Sequence, residues 1–161
     1  MTEREIADRL EITHQIYAHC RSVDRLDVPL GHGVFHEDSH AIFPTYEGPG
    51  RGWIDAVCIA HLDFLHHSHQ VTNVLIELDG DKAGSEAYVT AKLRQHDGER
   101  LMEREICARY VDRWSRRDGR WAIDHRHCVV DFTSIREVTP FGADPTGRRD
   151  TTDPSYQVLK G

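Results

Sequence analysis

The sequence predicts an α+β fold, a cone-shaped, bent antiparallel sheet wrapped around N-terminal helices. Two observations carry this. Up to about Ser68 the apolar residues recur at helical spacing. After Ser68 three turn signals, Asp79-Gly80-Asp81, Asp97-Gly98-Glu99 and Asp118-Gly119-Arg120, separate segments rich in Val, Ile, Tyr and Thr. Asp-Gly between such segments is the strongest short-range hairpin signal, and helices followed by hairpins is an α+β order. A length of 161 residues suits one domain with a real core.

The elements follow in order. Thr2 with Glu5 forms a capping box that opens a first helix reaching about Asp24. Ile6, Leu10, Thr13, Tyr17 and Cys20 recur at helical spacing and are expected as its buried stripe. Asp27 reads as the N-cap of a short second helix through Val34 and Phe35, with Pro29 in its first turn, where proline costs little. Ala41 to Pro44 reads as a short extended segment, broken at Glu47-Gly48-Pro49-Gly50. A third helix is traced by Trp53, Ile54, Val57, Cys58, Ala60, His61, Phe64 and Leu65. The meander is expected over His69–Leu78, Gly84–His96, Leu101–Arg116 and Arg120–Phe132. The domain is placed at residues 1–138. The Pro-, Gly-, Asp- and Thr-rich residues 139–161 are expected to be an irregular tail. Helices under a bent sheet leave a hollow of the kind that small molecules favour.

Composition removes several classes of function. A net charge of −7 gains nothing from counterion release, so no nucleic-acid partner is expected. No polybasic stretch holds an anionic membrane, and no run of 18 apolar residues spans one. The charged N-terminus lacks an apolar signal core, so a cytoplasmic location is expected. Cys20, Cys58, Cys107 and Cys128 are far apart and form no C-x-x-C, and buried free thiols are the expected reading. Twelve histidines are many for this length. His61, His66, His67 and His69, with His125 and His127, invite a metal, but no H-E-x-x-H or comparable spacing supports one, so no metal site is assigned.

Three short stretches then stand out: Ile16-Tyr17 through Ser22-Val23-Asp24-Arg25, His69-Gln70-Val71-Thr72-Asn73, and Asp118-Gly119-Arg120-Trp121. With the element order from Glu5 to Phe132, they resemble the SnoaL-like branch of the nuclear transport factor two-like superfamily, which includes dehydratases, polyketide cyclases and dehydrochlorinases. The resemblance implies a catalytic pair at Asp24 and His69. It also implies polar helpers at His19 and Arg126. The relatives carry Lys or Tyr where His19 stands. Arg126 alternates with Trp121 and Ile123, so a regular strand turns it to the other face unless a bulge intervenes.

A neutral imidazole, with an ordinary pKa near ~6.5, is the natural base at neutral pH. A carboxylate on its other nitrogen fixes the tautomer and stabilises the imidazolium. The pair suits removal of a proton from carbon with loss of a leaving group from its neighbour. The expected function is therefore a lyase or isomerase, without metal or organic cofactor, acting on a hydrophobic, cyclic small molecule. Tyr17, Trp53, Phe64, Tyr88 and Tyr110 are expected to line the pocket, although such aromatics are more often core. A binding module without turnover, and an assembly subunit like the dioxygenase β subunits, stay open beside it. Apolar side chains on both sheet faces, as in Val74-Leu75-Ile76 and Ile106-Cys107-Ala108, point to a homo-oligomer, a dimer or trimer.

Overall fold

The first helix begins at its capping box. In the computed structural model, which describes residues 1–142 and 144–159, the Thr2 hydroxyl accepts from the Glu5 amide at 3.2 Å. The Glu5 carboxylate accepts from the Thr2 amide at 2.6 Å. Helix α1 spans Glu3–Arg25 and ends where Leu26 turns left-handed (φ 55°). Of the expected stripe Cys20 is buried and Thr13 half-buried, but the rest faces out. Ile6, Leu10 and Tyr17 are 44%, 66% and 50% exposed, while Asp8, Ile12, Ile16, His19 and Val23 are buried. The cause is Asp8, a charged residue on the inner face. Its carboxylate accepts from the Trp121 indole at 3.0 Å and from Arg116 at 2.8 Å. A pairing this specific is invisible to apolar periodicity.

Helix α2, Val28–Val34, is capped by the Asp27 side chain, which accepts from the Leu30 amide at 3.1 Å. Strand β1, Phe35–Phe43, then starts at Phe35, which had been expected inside the helix. It forms a hairpin with β2, Tyr46–Pro49, in place of a plain break. Helix α3, Gly50–Ala60, stops five residues short of Leu65. The Arg149 guanidinium takes the carbonyls of His61 and Phe64 that a continued helix would have used.

The meander consists of β3 (His66–Asp79), β4 (Lys82–Asp97), β5 (Arg100–Arg117) and β6 (Arg120–Glu137). The sheet order is β2-β1-β6-β5-β4-β3. Every neighbouring pair is antiparallel except β1 with β6, which run parallel. All three expected hairpins form, with a shift in two. Asp79 pairs with Lys82 and Asp97 with Arg100, so there the loops are Gly80-Asp81 and Gly98-Glu99. Only Asp118-Gly119, with φ 52° and 79°, has both residues left-handed, as a type I′ turn requires.

Strands of 14 to 18 residues carrying bulges bend strongly. The bulge that matters most lies in β6. Trp114 pairs with Ile123 and Arg113 with His125, leaving Asp124 unpaired. This extra residue moves Arg126 onto the inner face it shares with Trp121 and Ile123. The inner faces of β4, β5 and β6 meet α1 and α3 in one core containing Ile12, Ile16, Phe35, Ile54, Trp114 and Trp121.

The described residues after Val138 are largely irregular apart from a short helix α4, Ser155–Val158, and they fold back onto the domain. The Tyr156 hydroxyl donates to Asp27 at 2.7 Å, and Arg25 pairs with Asp153 at 3.6 Å. Cys20 and Cys58 are buried free thiols, while Cys107 and Cys128 are half-buried.

Candidate functional site

Where the bent sheet turns away from the helices, a cavity of about 400 Å³ opens. Its walls combine His19 and Val23 of α1, Phe43 at the end of β1, Trp53 and Val57 of α3, His61 and Phe64 just beyond α3, and His69 of β3. The sheet contributes Val89, Ala91 and Leu93 of β4, Ile106, Ala108 and Tyr110 of β5, and Cys128 and Val130 of β6. The volume and the apolar lining suit a small organic ligand.

Asp24 lies in the last turn of α1, where a carboxylate faces the wrong end of the helix dipole. His69 compensates for this. Its Nδ1 lies 2.6 Å from Asp24 Oδ1, and its backbone N–H donates to Oδ2 at 3.1 Å. The side chains are 9% and 15% exposed. Burial pushes the Asp24 carboxyl up, but the hydrogen bonds and charge of His69 outweigh it and leave its pKa below the ordinary value. An ionised carboxylate can only accept, so His69 Nδ1 carries a proton, and in the neutral ring the lone pair lies on Nε2. Nε2 makes no hydrogen bond among the described residues, and the ring lines the cavity.

His19 is 1% exposed and lines the same cavity. Its ring touches Phe35 and Tyr110 edge-on, and Nδ1 is buried without a partner. Burial, then the charge of the Arg126 guanidinium, hold its pKa well below the ordinary value, so the ring is neutral. Arg126 does not line the cavity. It lies fully buried behind Tyr110, bound by Nε and Nη2 to Asp112 at 2.8 and 2.7 Å, with its guanidinium 4.1 Å from the Tyr110 ring centre. Its Nη1 has no partner.

Of the five aromatics expected in the pocket, Trp53, Phe64 and Tyr110 line it. Trp53 stacks on Phe43 with ring centres 3.7 Å apart. Tyr88 does not. It sits at an even position of β4, where Val89, Ala91 and Leu93 take the inner face, so it points outward and is 40% exposed. Tyr17 lines a neighbouring cleft with Asp24, Arg25 and Val71, on the outer side of the Asp24–His69 pair.

Sequence reasoning missed the cluster of His61, His67 and Arg149, of which His61 lines the cavity. Arg149 Nη2 lies 3.3 Å from His67 Nδ1, and the His61 and His67 rings meet edge to face at 4.5 Å. Burial, reinforced by neighbouring positive groups, lowers His61 to about 4 and His67 to about 3. The signal was one arginine of the Arg148-Arg149 pair in a tail with no periodicity. Among the described residues no three His, Cys, Asp or Glu side chains converge as metal ligands, and no helix is long and apolar enough to cross a membrane.

The sequence profile of the SnoaL-like domain matches residues 4–127, more than half of the chain. The chain belongs to the SnoaL-like family. Solved structures resemble this SnoaL-like chain along most of its length. One is a protein from Novosphingobium aromaticivorans proposed to be a scytalone dehydratase, 20% identical, covering 92% of this chain and 99% of that one at a TM-score of 0.73. Another is a type 2 hexachlorocyclohexane dehydrochlorinase, 18% identical, covering 89% and 97% at 0.72. A third, from Novosphingobium aromaticivorans and proposed to be an aromatic ring hydroxylase, is 24% identical, covering 83% and 94% at 0.70. At these identities the likeness is one of fold. No curated protein matches the SnoaL-like chain in sequence.

Proposed function

We propose that this SnoaL-like chain is a cofactor-free acid–base lyase or isomerase acting on a hydrophobic small molecule, with His69 as the base and Asp24 as its orienter. The observation that carries the reading is the 2.6 Å contact between Asp24 Oδ1 and His69 Nδ1, which leaves Nε2 free toward an apolar cavity. In the step proposed, Nε2 takes a proton from a substrate carbon. The C–H electron pair becomes a C=C bond, and the leaving group departs from the adjacent carbon with its bonding pair. Asp24 stabilises the imidazolium that forms. Base catalysis of this kind contributes about 10²–10⁴-fold.

His19 suits the other half of the step. A neutral imidazole inside the cavity can donate N–H to a leaving oxygen. Arg126 supports it from behind Tyr110 through charge, without touching substrate. This revises the direct role that the family resemblance implied for Arg126. The names of two structural neighbours, a proposed scytalone dehydratase and a dehydrochlorinase, are names of elimination enzymes, which accords with this reading. The test is turnover of a panel of cyclic hydroxy-ketones and halocarbons by the parent and by His69→Ala. Elimination that needs His69 supports the proposal. Ligand binding without turnover favours a binding module.

A further inference from the structure

The cavity wall is chemically lopsided. The chain has 27 acidic residues, yet no Asp or Glu is among the twenty residues that line the cavity. One arginine is: Arg104, exposed at the mouth. Its neighbours on the sheet explain its position. Arg104 pairs in register with Leu93 of β4 and Ile135 of β6, so it occupies the inner-face row that continues to Ile106, Ala108 and Tyr110. Its guanidinium sits 5.6 Å from the Phe64 ring centre, a cation–π contact that holds it over the opening. Among the described residues it makes no salt bridge and no side-chain hydrogen bond. Most other arginines are bound to carboxylates, including Arg94, Arg109, Arg116, Arg117, Arg126 and Arg136. The adjacent carboxylates are engaged on the outer face, Glu103 by Arg94 and Arg136 and Glu105 by Lys92.

We infer that the cavity takes an amphipathic organic anion, with its apolar body inside and a single carboxylate held at the mouth by Arg104. A planar guanidinium with all its donors free matches a carboxylate with two parallel hydrogen bonds. The sheet register also gives the spacing. His69 pairs with Ala91, which pairs with Ile106, and Arg104 lies two residues further along β5. Two strand spacings across and two residues along place the Arg104 and His69 Cα atoms about 12 Å apart. The carboxylate is therefore remote from the carbon that faces His69, separated from it by a body about two rings long. The group at Arg104 anchors the ligand and takes no part in the bond changes at His69.

This inference deepens the proposed function by naming the class of substrate, but its test reads binding alone. Two fluorescent probes serve: 8-anilinonaphthalene-1-sulfonate, and N-phenyl-1-naphthylamine, which has the same rings and no charge. The parent protein is expected to bind the anionic probe about tenfold more tightly, with the two probes competing for one site. Arg104→Gln, at an exposed position that the fold does not need, should remove that preference and leave the neutral probe within about twofold. Arg113→Gln, which removes another unpaired arginine, should change neither. The inference is overturned if the parent binds both probes equally, if the probes do not compete, or if Arg104→Gln keeps the preference. A protein without turnover would thus leave this inference standing, and loss of the charge preference would leave the lyase reading standing.

Discussion

Asp24 holds His69 by two atoms at once: one carboxylate oxygen meets the ring Nδ1 at 2.6 Å, and the other accepts from the backbone N–H at 3.1 Å. The second bond fixes the start of β3 against the end of α1. The main chain thereby holds the carboxylate in place while its other oxygen meets the ring. The tautomer follows, with Nδ1 protonated and Nε2 bare. In ¹⁵N-detected NMR at pH 8, His69 should give a single Nδ1–H tautomer with a strongly downfield proton. A signal averaged between tautomers would mean that the grip is absent in solution.

Replacing Asp24 with Asn tests the orienting role. The amide can donate to Nδ1, which puts the proton on Nε2, where the lone pair is needed. Turnover should fall by about 10²–10⁴-fold, with far-UV circular dichroism unchanged. Parent-like turnover in Asp24→Asn would remove the carboxylate from the mechanism.

Acid should unfold the protein through its buried histidines. His61 and His67 titrate in the folded state at about 4 and about 3, below the ordinary ~6.5. In the intervening window the unfolded chain binds more protons than the folded one, so stability falls as pH falls from about 6.5 toward 4. Asp24 adds nothing there. Its lowered pKa contributes stability that is present above the unfolded carboxylate value and is lost only below it. Urea midpoints between pH 7 and 4.5 should drop for the parent and drop less for His67→Asn. Equal drops would show that His67 is not held neutral by its surroundings.

The tail should matter to the His61–His67 cluster. Arg149 bonds the carbonyls of His61 and Phe64 and also His67 Nδ1, so one guanidinium fixes three groups. Arg149→Ala should cost about 1–3 kcal/mol, and Arg149→Lys should not restore it, because an ammonium lacks the planar fork. Equal unfolding midpoints for all three proteins would show residues 139–161 to be separable from the domain.

The fold was legible because its signals are local. Turn residues, a capping box at Thr2 and Glu5, and the Asp27 cap each act within a few residues. The α1 face was misread because Asp8 is buried by Trp121 and Arg116, partners more than 100 residues away. Likewise, the orientation of Arg126 depends on an unpaired Asp124, and a bulge has no fixed sequence signature. For the site, Asp24, His69 and His19 were reached only through the family resemblance. Trp53, Phe64 and Tyr110 needed only a position on the inner face. Arg149 and Arg104 could not be found, since their roles lie in contacts that the tail and the strand register create.

The outer sheet face should be an interface. Phe132, Tyr88 and Val111 lie there and are 65%, 40% and 38% exposed, and apolar groups gathered on one face mark association surfaces. Light scattering at micromolar concentration should give a homo-oligomer, and Phe132→Glu should dissociate it. A monomeric parent protein would contradict this.

The central claim is that His69 removes a proton from carbon inside the cavity. The most direct measurement is elimination from a panel of cyclic hydroxy-ketones and halocarbons by the parent and His69→Ala, followed at equal folded concentration. The account predicts turnover of at least one compound by the parent, lost by about 10²-fold or more in His69→Ala. Turnover at the parent rate in His69→Ala would contradict it.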